Sequence, residues 1–217
     1  MDNSQVLARW AGRGRDDDEP LNPQRAALRR RMRPGAAQGI GLWVFIGVAT
    51  ALFTLFIVAY VMRMSASDAT AIVMPWQLWL STGWLVAGSL LLQHAAGLES
   101  RGQQPSRQLL AGGACALAFI AVQGWAWQRL LDAQVSLTGN PAGSFFYLLT
   151  TLHGLHVAGG VVAWALVLRG LRSPGGGGWR IQLCARYWHF LLVVWVVLFT
   201  TFRVITPEVA GVICGTR

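Results

Sequence analysis

Three histidines fall in strongly apolar stretches. His153 and His156 lie in TTLHGLHVAGG (150–160), and His189 lies in RYWHFLLVVW (186–195). An imidazole in such surroundings can ligate a metal or a haem iron, relay protons, or hydrogen-bond one helix to another. On a helix, His153 and His156 sit about 60° apart and share one face. Haem ligation requires axial imidazoles at matching depth on facing helices, which an i, i+3 pair does not provide. A metal centre requires a third ligand, and by depth only His189 is available. His94 falls at the inner end of an apolar run, at the interface. The cysteines add nothing to a ligand set: Cys115 and Cys184 are in apolar runs, Cys214 is near the C-terminus, and no CxxC occurs.

Small residues favour the helix-contact reading of the histidines. Gly154 with Ala158, Gly159 with Ala163, Gly112 with Ala116 and Ala114 with Ala118 form small-xxx-small pairs. Such pairs let helix backbones approach closely in a bilayer. Ligation and proton relay stay open as alternatives. All nine acidic residues (Asp2, Asp16, Asp17, Asp18, Glu19, Asp68, Glu99, Asp132 and Glu208) lie outside the apolar runs. Proton pumps and cation transporters place carboxylates inside the membrane, so an autonomous one is not expected here.

The elements that must position these residues are membrane helices. Of 217 residues, 54% are hydrophobic and 12% charged, and five runs (40–62, 71–93, 109–131, 143–168 and 181–205) are each long enough to span a bilayer. They are continuously apolar rather than alternating, which excludes a β-barrel. The expected fold is an all-α membrane protein, a five-transmembrane-helix bundle over 39–206. Residues 1–38 form a disordered, arginine-rich tail with no cleavable signal sequence, and 207–217 form a short tail at the far end. The GGGG run (175–178) is a flexible loop, and no internal repeat is present.

Every basic residue is arginine. Fourteen of the eighteen fall on the N-terminal side of the membrane, and four, Arg63, Arg129, Arg203 and Arg217, on the other. The positive-inside rule then puts the N-terminus in the cytoplasm and the C-terminus in the periplasm. The cluster Arg25, Arg29, Arg30, Arg31 and Arg33 suits anionic lipid head groups. This asymmetry accounts for the net charge of +9 without nucleic acid. Trp43, Trp76, Trp79, Trp125, Trp127, Trp164 and Trp188 fall near the ends of the runs, at the expected interfaces, whereas Trp84 and Trp195 lie deeper and are expected between helices.

Several segments, in order, carry a family resemblance. LHGLHV (152–157) followed by YWHF and VVW (187–190, 193–195) resembles the last two helices of subunit III of the haem-copper oxidases. LWVFIGVATALFTLFIVAYVMR (42–63), MPWQLWLSTGWLVAGS (74–89) and FIAVQGWAW (119–127) are similar to the three preceding helices of the five-span bacterial form. The resemblance covers 42–204 and carries over His153, His156, Gln123, Trp188 and His189 as matching positions, read as helix–helix and subunit contacts. Three carboxylates usual in the family are absent, with Ala49, Ala126 and Leu192 in their places. A role in proton uptake therefore does not carry over.

The resemblance implies a non-catalytic accessory subunit of a bacterial terminal respiratory oxidase in the inner membrane. It would hold no cofactor of its own, and haem and copper would sit in a partner catalytic subunit I, with subunit II as a further partner. The electron donor is expected to be cytochrome c, with a quinol oxidase as the variant. Two alternatives remain at this point: a subunit III-like accessory protein of nitric oxide reduction, and a small haem- or metal-binding membrane redox protein.

Overall fold

The structure, a computed structural model, describes residues 35–65, 74–133, 141–170 and 178–215. The arginine cluster at 25–33, Asp68 and most of the GGGG run lie outside the described residues. Met1–Ala36 forms one unit and Ala37–Arg217 another. The described residues hold six α-helices and no strand: α1 (Ala36–Met64), α2 (Gln77–Ser100), α3 (Ser106–Asp132), α4 (Pro141–Gly170), α5 (Gly178–Val204) and α6 (Pro207–Ile213).

Helices α1, α3, α4 and α5 are long and apolar enough to cross a membrane. Helix α2 has 24 residues, about 36 Å at 1.5 Å per residue, but Gln77, Ser81, Thr82, Ser89, Gln93 and His94 dilute its apolar content. It also begins later and runs further than the 71–93 expected. Pro75 has no N–H to donate and so stands ahead of the first turn, where Leu78 N–H bonds to Pro75 O at 3.2 Å. The far end is set by glycine. Gly102 has φ of 71°, and its N–H bonds to Glu99 O while Gln103 N–H reaches back to Leu98 O, both at 3.0 Å. This is a Schellman cap, for which the left-handed residue is best a glycine. Helix α3 follows directly, its first bond running from Leu109 N–H to Pro105 O at 2.9 Å.

Helices α2, α3, α4 and α5 close a ring, α2 packing on α3 and α5, and α4 on α5 and α3. The closest approach is α2 on α3. A Cβ placed on Gly88 would lie 3.1 Å from Cys115 Cβ, and one on Gly112 would lie 2.8 Å from Leu92 Cγ. On the other side of α3, a Cβ on Gly113 would fall 2.0 Å from the Trp164 ring of α4, whose Nε1–H donates to Leu109 O at 2.7 Å. Gly113 is thus the seat of a tryptophan.

The small pairs of α4 behave otherwise than expected. Neither Gly154 nor Gly159 has anything within 4 Å of a Cβ placed on it, and the close approach of α4 to α5 is made at Gly160, against Tyr187, Trp188 and Leu191. Gly154 and Ala158 instead line a chamber between α3 and α4, and Gly159 and Ala163 a groove between α1, α4 and α5. Small residues permit contact, but the bulk of the neighbours decides whether it happens.

Helix α1 stands off the ring and reaches it through aromatic rings. Phe45 meets His156 and Tyr187, Phe53 meets His153 and His156, and Tyr60 meets Phe145 and Phe202, at centroid distances of 5.3–6.3 Å. Spacings of eight and seven residues keep these three rings on one helix face. Tyr60 Oη–H also donates to Ile205 O at 3.4 Å, tying α1 to the end of α5. The tail at 207–215 adds a short helix, α6, with Thr206 as its N-cap accepting from Val209 N–H at 3.4 Å and Pro207 in the first turn.

Two tryptophan placements differ from expectation. Trp188 is wholly buried in the core, because Gly160 leaves room for its ring, while Trp84 is 39% exposed on the outside of α2. Trp195 is wholly buried between helices, and Trp43, Trp76, Trp79 and Trp125 are exposed.

Candidate functional site

The imidazoles of α4 and α5 go to separate neighbourhoods. His153 has no exposed surface and is boxed by Phe53 of α1 at 6.3 Å, Phe119 of α3 at 5.9 Å and Trp195 of α5 at 5.3 Å between centroids. Neither of its ring nitrogens has a hydrogen-bond partner. One turn further on, His156 lies with Nδ1 2.7 Å from Leu152 O, so this nitrogen carries the proton and donates to its own helix. The link between α4 and α5 here is made by another residue, Tyr187, whose hydroxyl donates to His156 O at 2.9 Å.

His189 joins α5 to α2. Its Nδ1 lies 2.8 Å from Ala185 O and 3.2 Å from Ser89 Oγ. One nitrogen cannot serve both contacts at once. Protonated, it donates to the carbonyl; unprotonated, it accepts from the Ser89 hydroxyl. One heptad along the same face of α2, Thr82 Oγ1 accepts from Trp195 Nε1–H at 2.9 Å and passes its own proton to Leu78 O at 2.7 Å. The α2–α5 seam therefore carries two side-chain bonds, each worth roughly 0.6–2 kcal/mol in a bilayer.

Among the described residues, no three His, Cys, Asp or Glu side chains gather into a group able to hold a metal. The walls of His153 are two phenyl rings and an indole, which offer no second ligand. Gln123 lines the α3–α4 chamber, and its Oε1 has no partner. Trp188 is buried against α4 with its Nε1 also unpartnered. Ala49 and Ala126 are buried and Leu192 half-buried, so the three family carboxylate positions face the protein interior as apolar side chains. His94 is exposed near the end of α2.

Sequence reasoning did not single out Ser89, Thr82, Tyr187 or Trp164, which hold most of the bonds between helices. For Thr82 and Ser89 a signal was present: seven residues apart, they share a helix face. Nothing local marks Tyr187 or Trp164, because their partners are backbone carbonyls.

No protein-family model matches the chain. Over 88 residues it is 36% identical to a "Probable cytochrome c oxidase subunit 3" of Nocardia farcinica, a match that covers 38% of this chain. It spans 42% of that relative's length, less than half. A longer match, 28% identical over 192 residues, takes in 83% of this chain and 90% of the cytochrome c oxidase subunit 3 of Alkalihalophilus pseudofirmus. The Bacillus subtilis cytochrome c oxidase subunit 3 aligns over 194 residues to the same extent. This chain belongs to the haem-copper oxidase subunit III family. Its apolar helices make it a multi-pass membrane member of that family.

Proposed function

We propose that the chain is the non-catalytic accessory subunit of a bacterial haem-copper terminal oxidase, holding the catalytic subunit that reduces oxygen with electrons from cytochrome c. The observation that carries this reading is the alignment across 83% of the chain with proteins named cytochrome c oxidase subunit 3. The seams described above support it: the polar side chains inside the bundle are engaged in joining helices, and the family's carboxylates are absent.

In this reading α2 is the fifth span, since its 24 residues suffice for the hydrocarbon thickness and its Thr82 and Ser89 turn inward to α5. The N-terminus is cytoplasmic and the C-terminus periplasmic, in the inner membrane. Subunits I and II are the partners, with haem and copper in the former. His153, His156, Gln123, Trp188 and His189 act as helix and subunit contacts. Anionic lipids are held by the arginine cluster at 25–33. They also occupy the groove of about 710 Å³ between α1, α4 and α5, which Arg180 lines at one end.

The test is purification of the tagged full chain from its native membranes in mild detergent. A haem–copper absorption spectrum should come through the column with a larger subunit. A Soret band belonging to this chain after the larger subunit is removed, or recovery with no haem protein at all, would overturn the reading.

A further inference from the structure

The chamber between α3 and α4 has a feature that the accessory role does not use. Its volume is about 390 Å³, within the range of small-molecule sites, and its walls are mainly apolar. Two polar side chains line it one helical turn apart on α3, and each has a buried atom without a partner: Gln123 Oε1, an acceptor, and Trp127 Nε1–H, a donor. Facing them on α4 are Thr150 and Thr151, whose hydroxyl protons are already donated at 2.6 Å to Phe146 O and Tyr147 O. Their oxygens can still accept. The chamber thus offers one N–H donor and several acceptors in an apolar shell. Leaving such groups unpaired is costly, whereas a ligand that completes them gains their full interaction.

A hydroxyl is the simplest group that accepts from the indole and donates to the amide oxygen together. We propose that this chamber binds an apolar membrane alcohol, its O–H donating to Gln123 Oε1 and its oxygen accepting from Trp127 Nε1–H. The hydrocarbon body lies against Phe119 and over Gly154, where a Cβ would meet nothing within 4 Å. Entry is from the bilayer, past Leu155, which lines the chamber and is 68% exposed. Two classes of molecule carry this chemistry: neutral glycerolipids with a free hydroxyl, and reduced quinones.

The test is native mass spectrometry of the full chain in detergent with three probes: 1,2-dioleoylglycerol, its 3-O-methyl ether, and decyl hydroquinone. At least one of the two alcohols should bind one to one, and which of them binds better identifies the source. Gln123→Leu and Trp127→Phe should each weaken the bound alcohol by about tenfold, the loss of one hydrogen bond. Gly154→Leu should fill the chamber and abolish binding. If neither alcohol binds, the chamber holds water at most and the proposal is wrong. It is equally wrong if Gly154→Leu binds as the parent chain does. For dioleoylglycerol the ether comparison needs no variant, so it stands even if a substitution fails to fold. Equal affinity for that alcohol and its ether would also overturn the hydroxyl's role.

Discussion

A histidine's type says little about its work until its neighbours are known. His153 and His156 share a helix face, yet one sits with both nitrogens unpaired inside three aromatic rings and the other is bonded to Leu152 O. The consequences of substitution differ accordingly. His153→Phe replaces an unpaired polar ring by an apolar one of similar shape, so stability should change by no more than about 1 kcal/mol, checked by thermal unfolding in detergent. In the assembled oxidase the same variant should keep its initial oxygen-consumption rate. A fall of about a hundredfold with the subunit still bound would instead mark His153 as a proton relay. Trp195→Phe behaves differently. It strips Thr82 Oγ1 of its donor and should cost about 1 kcal/mol, seen as a lower unfolding midpoint, and Thr82→Val should be less than additive with it.

At the scale of elements, glycine is the residue whose role most depends on what faces it. Gly113 lies under the Trp164 ring, so Gly113→Ala should force that ring off α3 and break its bond to Leu109 O, costing about 1–3 kcal/mol. Gly154→Ala meets open space and should be neutral or stabilising by up to about 1 kcal/mol, since alanine is the better helix former. Size-exclusion profiles after graded heating would rank the two. The reverse order would mean that α3 and α4 pack differently from the arrangement described. Helix α1 obeys another rule: held through Phe45, Phe53 and Tyr60, it should loosen most on Phe53→Ala, which empties the space beside both His153 and His156.

For the whole molecule, the arginine asymmetry makes a prediction independent of side-chain packing. A C-terminal alkaline phosphatase fusion should be active and a C-terminal fluorescent protein dark, as five spans and a cytoplasmic N-terminus require. The opposite pair of results would mean that α2 does not cross the bilayer. His189→Ala and Ser89→Ala act at this scale too. Each should loosen the α2–α5 seam, so that this subunit is lost from the complex during detergent purification while the remaining core keeps its spectrum.

The sequence alone determined the helical membrane architecture, because backbone groups in hydrocarbon must bond within a helix and 20-residue apolar runs follow from that constraint. It also carried the family, through short motifs whose order and spacing survive where overall identity is 28%. It located Trp195 between helices, since a tryptophan deep in a span has no interface to reach. What it did not determine was who faces whom. The ends of α2 depended on Pro75 and Gly102, and the partner of His189 depended on a serine a hundred residues earlier in the chain. Whether Gly154 made a contact or a chamber depended on the side chains opposite. Periodicity fixes which residues share a face, but the choice of partner face is a many-body packing problem, and only the tertiary structure decides it.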